Sequence, residues 1–254
     1  MRLRFLLCLG PLVANVADPP SSQTPVIPPP RTTYVIVHGA WGGSWDWRQV
    51  DSILTGHGHL VYRPSLTGLG ERVHLASPSI GLDTHITDIV NVLVWEDLRD
   101  VVLVGHSYGG MVITGVADRI PERIRHLIYM DAFLPDSGES MRLLARPETA
   151  ALIDRYADTG MVPPVWVDPA AQIPKDVPQP LRTMTDPLVL TNRAARRIPG
   201  TYILTVEPGL SRDPFTPFSE RAAARGWQVL RMEAGHVPNR TEPVALAALL
   251  EGIR

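Results

Sequence analysis

The chain has 254 residues, 44% apolar and 20% charged, enough for one α/β domain around a single core. A formal net charge of -2 provides no basic surface for nucleic acid or an anionic membrane. The single cysteine, Cys8, excludes an intrachain disulfide and a Cys-based metal centre.

Residues 1–17 begin basic (Met1-Arg2-Leu3-Arg4) and continue mostly apolar. This is the pattern of a secretory signal peptide, too short to span a bilayer. It implies a secreted or periplasmic protein; a misassigned start ahead of a cytoplasmic enzyme is the alternative. Residues 18–31 (DPPSSQTPVIPPPR) read as a proline-rich extended linker. The folded domain is expected over residues 32–254. Removal of the signal takes Cys8 with it and leaves no cysteine nucleophile.

Tyr34-Val35-Ile36-Val37 reads as a buried strand, followed by the tight loop His38-Gly39-Ala40-Trp41-Gly42-Gly43. Residues 45–56 look helical, and residues 60–64 form a second strand ahead of the loop 65–78. Residues 84–98 carry Ile86, Ile89, Val90, Leu93 and Val94 at helical spacing. Further strands are expected at 101–104, 124–130, 201–206 and 228–232, and a helix over about 109–120. A helix over 243–253 closes the chain, with Thr241 as its cap and Pro243 in its first turn. Alternating strands and helices imply an α/β fold with a mostly parallel sheet covered on both faces. The alternation breaks over about residues 135–199, which are rich in proline and weakly periodic. That stretch is expected to be a lid over the active site.

Gly105-His106-Ser107-Tyr108-Gly109 follows the strand at 101–104 and opens a helix. This is G-x-S-x-G in a strand–turn–helix context, which holds a serine hydroxyl above the sheet. A serine alcohol needs a base, normally a histidine oriented by a carboxylate. His236 lies after the last strand, on the sheet edge that also carries Ser107, and is the expected base. His57, His59, His74 and His85 read as surface or loop residues. Three carboxylates compete for the third place. Asp131 ends the strand after the elbow helix, Glu207 ends the next strand, and Asp213 lies further along that loop. Asp131 fits best, because a carboxylate at the tip of an apolar strand costs free energy unless paired. The backbone N–H groups of Ala40 and Tyr108 are the expected oxyanion donors. His38 is expected to brace the oxyanion loop, and Trp41 to line the substrate pocket. Thr67-Gly68-Leu69-Gly70-Glu71-Arg72 follows a strand but is not expected to open a helix, so nucleotide binding is rejected.

These residues resemble the α/β-hydrolase superfamily across about residues 32–254. The loops Val37-His38-Gly39-Ala40-Trp41 and Ser65-Leu66-Thr67-Gly68-Leu69-Gly70-Glu71-Arg72, with Gly235-His236, are similar to the branch holding plant methylesterases, hydroxynitrile lyases and bacterial carboxylesterases. The resemblance implies both acid positions: Glu207 stands two past Thr205, as in methylesterases with glutamate for aspartate, and Asp131 stands 24 past Ser107, as in haloalkane dehalogenases. Val237 after His236 and Tyr108 after Ser107 depart from the hydroxynitrile lyases. The implied enzyme is a carboxylesterase acting on a small-molecule ester through an acyl-enzyme, without metal or organic cofactor. C–C or lactone hydrolysis, or lyase-type or haloperoxidase chemistry by the same triad, is the alternative.

Overall fold

A computed structural model describes residues 31–253. The signal-like segment 1–17, and the proline-rich stretch up to residue 30, lie outside the described residues. In chain order the domain begins with strand β1 (Thr33–Val37), helix α1 (Arg48–Gly56), β2 (Leu60–Tyr62), α2 (Leu82–Trp95), β3 (Val101–His106), α3 (Gly109–Arg119) and β4 (Ile124–Met130). Then comes an excursion of α4 (Met141–Leu144), α5 (Pro147–Arg155), β5 (Met161–Val162), β6 (Gln179–Pro180) and α6 (Leu181–Thr185). The last part holds β7 (Gly200–Val206), α7 (Thr216–Ala224), β8 (Gln228–Glu233), α8 (Pro238–Thr241) and α9 (Pro243–Gly252).

Six strands form one sheet in the order β2-β1-β3-β4-β7-β8, and every neighbouring pair is parallel. Strand periodicity of two sorts side chains onto two faces. Tyr34, Ile36, Val102, Val104, Ile128 and Met130 pack with Val50, Leu54, Leu246 and Leu250 of α1 and α9. Val35, Val37, Leu103 and Tyr129 pack with Ile86, Ile89, Met111 and Val112 of α2 and α3. The carboxyl ends of all six strands share one edge, where the loops carrying Trp41, Ser107, Asp131 and His236 emerge. The excursion between β4 and β7 is a cap whose small antiparallel pair β5–β6 is separate from the main sheet. Among the described residues no helix is long and apolar enough to cross a membrane.

Three expectations need correction. His85 and His59 are buried rather than surface residues. His85 sits on the apolar stripe of α2 and His59 bonds the Thr32 N–H at 3.2 Å. Thr241 ends α8 instead of capping α9, whose cap position is Glu242 with no side-chain bond. The glycine-containing stretch 67–72 does open a helical turn, a short 3₁₀ helix at Gly70–Leu75. Its polar groups are used internally: Ser65 donates to Glu71 at 2.6 Å, and Asp88 accepts from the Thr67 N–H at 2.7 Å.

Candidate active site

Ser107 stands between β3 and α3 with φ 52°, the left-handed backbone that a sharp strand–turn–helix elbow imposes. The flanking glycines are required by close approach. A Cβ on Gly109 would lie 2.5 Å from Val37 O, and one on Gly105 2.8 Å from Gly109 O. The elbow is tied to the adjacent strand tip: the Ser107 N–H donates to Met130 O (3.3 Å), and the Phe133 N–H donates to Ser107 O (3.1 Å). Asp131, also at positive φ (43°), is held by its own N–H on Ile203 O at 2.8 Å.

These constraints bring three side chains into a line. His236 Nε2 lies 3.0 Å from Ser107 Oγ, and His236 Nδ1 lies 2.6 Å from Asp131 Oδ2. The other carboxylate oxygen of Asp131 accepts the Thr205 N–H at 3.2 Å. Asp131 is wholly buried, so each of its oxygens needs such a partner. An imidazole with Nδ1–H on a carboxylate presents Nε2 as a base to a hydroxyl. Glu207 is exposed at the end of β7 and makes no side-chain hydrogen bond among the described residues. Asp213 lines the cavity beside Ser107 and His236, and its carboxyl accepts the Phe215 N–H at 2.8 Å. Burial raises the pKa of Asp213 above the usual carboxylate range, the Phe215 N–H opposes that shift, and the Asp131 charge adds to it.

Trp41, Ser107 and His236 share a cavity of about 180 Å³ with Phe133, Phe215 and Phe218. Residues 141 to 149 of the cap complete the wall through Met141, Leu144, Ala145, Arg146 and Thr149. Neither the Ala40 nor the Tyr108 N–H meets an acceptor among the described residues. Their side chains and neighbours are anchored instead. The Tyr108 hydroxyl bonds His85 Nδ1 at 2.9 Å, and His85 Nε2–H donates to Thr67 O at 2.9 Å. His38 Nδ1–H donates to Gly39 O (2.8 Å) while its Nε2 accepts the Leu66 N–H (3.1 Å), so His38 ties the loop after β1 to the loop after β2. Burial holds His38 below its ordinary pKa and in this neutral form.

Four contributors escaped the sequence reading. Phe215 stacks on the His236 ring at 4.8 Å and 11°. His106 Nε2–H donates to the His236 carbonyl at 2.8 Å, fixing the backbone of the histidine loop. Thr205 supplies the N–H for Asp131, and Gln179 reaches the Trp41 N–H from the cap at 2.7 Å. His106 was readable as the variable position of the serine motif. No local signal marks the other three.

Comparison with known proteins identifies relatives of the chain. The family model described as the alpha/beta hydrolase family matches residues 34–249. A carbendazim hydrolyzing esterase from Nocardioides sp. (strain SG-4G) is 39% identical over 230 residues, covering 80% of this chain and 91% of that protein. Methylesterase 2 of Arabidopsis thaliana is 32% identical over 109 residues, 42% of this chain and 41% of its own. Among solved structures, an extracellular alpha/beta-hydrolase from a Paenibacillus species superposes with TM-score 0.72 at 24% identity, covering 86% of this chain and 97% of the other. With a match that begins in the first sheet strand and ends in the last helix, the chain belongs to the alpha/beta hydrolase family.

Proposed function

We propose that this chain is a carboxylesterase-type serine hydrolase that cleaves small-molecule carboxylic esters through an acyl-enzyme. The observation that carries the reading is the continuous Ser107–His236–Asp131 chain, with contacts of 3.0 and 2.6 Å. Esterase kinship over 91% of a relative's length supports the ester class.

His236 Nε2 takes the Ser107 proton as Oγ attacks the ester carbonyl, and Asp131 holds the resulting imidazolium. The carbonyl oxygen becomes an oxyanion received by the Ala40 and Tyr108 N–H groups, the second at the amino end of α3, where the helix dipole favours negative charge. Collapse expels the alcohol, which takes the proton from His236. Water, deprotonated by His236, then attacks the acyl carbonyl, and Ser107 leaves with that proton as the acid is released. General-base assistance contributes ~10²–10⁴, and each oxyanion donor ~10²–10³. A cavity of about 180 Å³ walled by Trp41, Phe133, Phe215 and Phe218 suits a short acyl or alkyl group. The reading includes export directed by residues 1–17, resting on the sequence pattern alone.

The test is hydrolysis of p-nitrophenyl acetate, butyrate and octanoate by wild type and Ser107→Ala. The wild type is expected to favour the short chains, and Ser107→Ala to lose on the order of 10⁴ or more in kcat with its fold intact. A folded Ser107→Ala protein that keeps a tenth of the activity overturns the assignment.

A further inference from the structure

Trp41 is the residue after the proposed oxyanion donor Ala40, and all three of its polar groups are bonded to the cap. Its backbone N–H donates to Gln179 Oε1 at 2.7 Å. Its carbonyl accepts the Val177 N–H at 2.9 Å, and its indole N–H donates to Val162 O at 2.8 Å. The backbone at Trp41 has φ 62°, a conformation a bulky L-residue adopts only when its surroundings impose it.

The two peptide units flanking Ala40 are therefore pinned from opposite sides. In a planar trans peptide the C=O and N–H point in opposite directions. The bond from His38 to Gly39 O thus holds the Ala40 N–H from one side only, and its final aim depends on where the Ala40 Cα is held from the other. The next unit carries the Trp41 N–H, and its orientation is set by Gln179. Without that acceptor the 40–41 peptide keeps only the Trp41 carbonyl and indole bonds beyond it, can tilt about the Ala40 Cα, and shifts the 39–40 unit that carries the Ala40 N–H through that shared atom. Gln179 is fully buried and its amide sense is determined: Nε2–H donates to Thr183 Oγ1 at 2.8 Å, and the Thr183 hydroxyl donates to Pro180 O at 2.7 Å. The oxygen must then face Trp41, as the N–H donor there demands.

We propose that Gln179 is a positioning residue for the oxyanion hole, through which the cap sets the aim of the Ala40 N–H. This rests on the proposed serine-esterase mechanism. An oxyanion donor matters in the transition state and hardly at all in the ground state. The signature is therefore a fall in kcat without a rise in KM, which loosening of the substrate pocket does not produce.

The experiment compares wild type, Gln179→Leu, Gln179→Glu and Thr183→Val. It measures kcat and KM on p-nitrophenyl acetate, inhibition by a trifluoromethyl ketone that forms a tetrahedral adduct on Ser107, and inhibition by the unreactive amide 4-nitroacetanilide. Gln179→Leu is expected to lower kcat by ~10–10³-fold, up to the worth of one oxyanion donor. KM and the amide Ki stay within about threefold, while the ketone Ki rises in parallel with the loss of kcat. Gln179→Glu, which keeps an acceptor for the Trp41 N–H, recovers a large part of kcat. Thr183→Val frees the Gln179 amide without touching the oxyanion loop and gives a smaller fall of the same kind, which serves as the test if Gln179→Leu fails to fold. Unchanged kcat in folded variants, or a rise in KM and amide Ki at constant kcat, overturns the proposal. Those outcomes with Ser107→Ala inactive sink Gln179 alone, whereas an active Ser107→Ala sinks the mechanism beneath it.

Discussion

Replacing Asp131 by asparagine is the sharpest probe of the proposed triad because it changes charge and donor pattern with almost no change in volume. The native carboxylate has two engaged oxygens, one on His236 Nδ1 at 2.6 Å and one on the Thr205 N–H at 3.2 Å. Both partners require an acceptor. Asparagine has one acceptor and one donor group, so one orientation sets its NH₂ against Thr205 N–H and the other against His236 Nδ1. In the second case the imidazole turns to the tautomer that presents Nε2–H to Ser107, and the base is lost. In the first the imidazolium loses its counter-charge. Substitution of this kind at a serine-enzyme acid costs ~10⁴ in kcat, or about 5.5 kcal/mol of transition-state stabilisation. The stranded buried donor adds ~1–3 kcal/mol of stability loss, at roughly 2–4 °C of Tm for each kcal/mol in a domain of this size. The assay is kcat/KM on p-nitrophenyl acetate across pH for Asp131→Asn and Glu207→Gln side by side, with thermal melts. Glu207→Gln is expected to stay within about twofold, because that side chain is exposed and makes no hydrogen bond among the described residues. A folded Asp131→Asn within tenfold of wild type, or an equal fall in Glu207→Gln, refutes the reasoning.

Two further predictions concern what supports the site. Burial pushes His85 down to about 4 from an ordinary 6.5, although the Thr67 carbonyl opposes the shift. The unfolded chain therefore binds a proton on this residue that the native state refuses as pH falls from 6.5 towards 4. Stability drops across that window by up to about 3 kcal/mol from this group, and the contribution vanishes above it. Urea unfolding of His85→Gln should show a lower plateau at pH 8 and a flatter acid slope, and curves parallel to wild type would refute the assignment. A Cβ at Gly110 would lie 2.0 Å from Phe133 O, backbone that is itself bonded to Ser107. Gly110→Ala should cost about 3 kcal/mol or more by overpacking, read by chemical denaturation, with activity falling as the elbow shifts. A loss under 1 kcal/mol would contradict the packing.

The sheet was legible because its strands are short apolar runs between turn residues, and the parallel order follows from strand–helix alternation. Ser107 and the loop after β1 lie in glycine-containing motifs that close backbone approach demands, and His236 was placed by its position after the last strand. His85 was misread although the signal was present: Leu82, His85, Ile86, Ile89 and Leu93 lie on one helical stripe and are all buried, so the histidine belongs to the packed face. The cap resisted reading because its elements run to only two to nine residues and are held by tertiary bonds. The Gln179–Trp41 bond spans 138 positions, and no local pattern carries information over that distance. The same holds for Phe215. The Asp213 side-chain turn could have been anticipated from its bond two residues on, but not the ring that the turn delivers onto His236.

Where the acid sits decides what the neighbouring loop can do. β3 and β4 are parallel neighbours, with His106 paired to Met130, so Ser107 and Asp131 are the next residues on adjacent tips, and both turn away at positive φ. β7 lies on the other side of β4 and contributes the Thr205 N–H, not a carboxylate. Glu207, at the end of β7, is exposed and makes no side-chain hydrogen bond among the described residues. With Asp131 as the acid, the loop after Val206 is released, and it supplies Asp213, Pro214 and Phe215 to the cavity wall, with Phe215 stacked on the histidine. The position of the proposed acid thus bears on specificity as well as on catalysis: the loop that would otherwise orient the base shapes the space in which the ester lies.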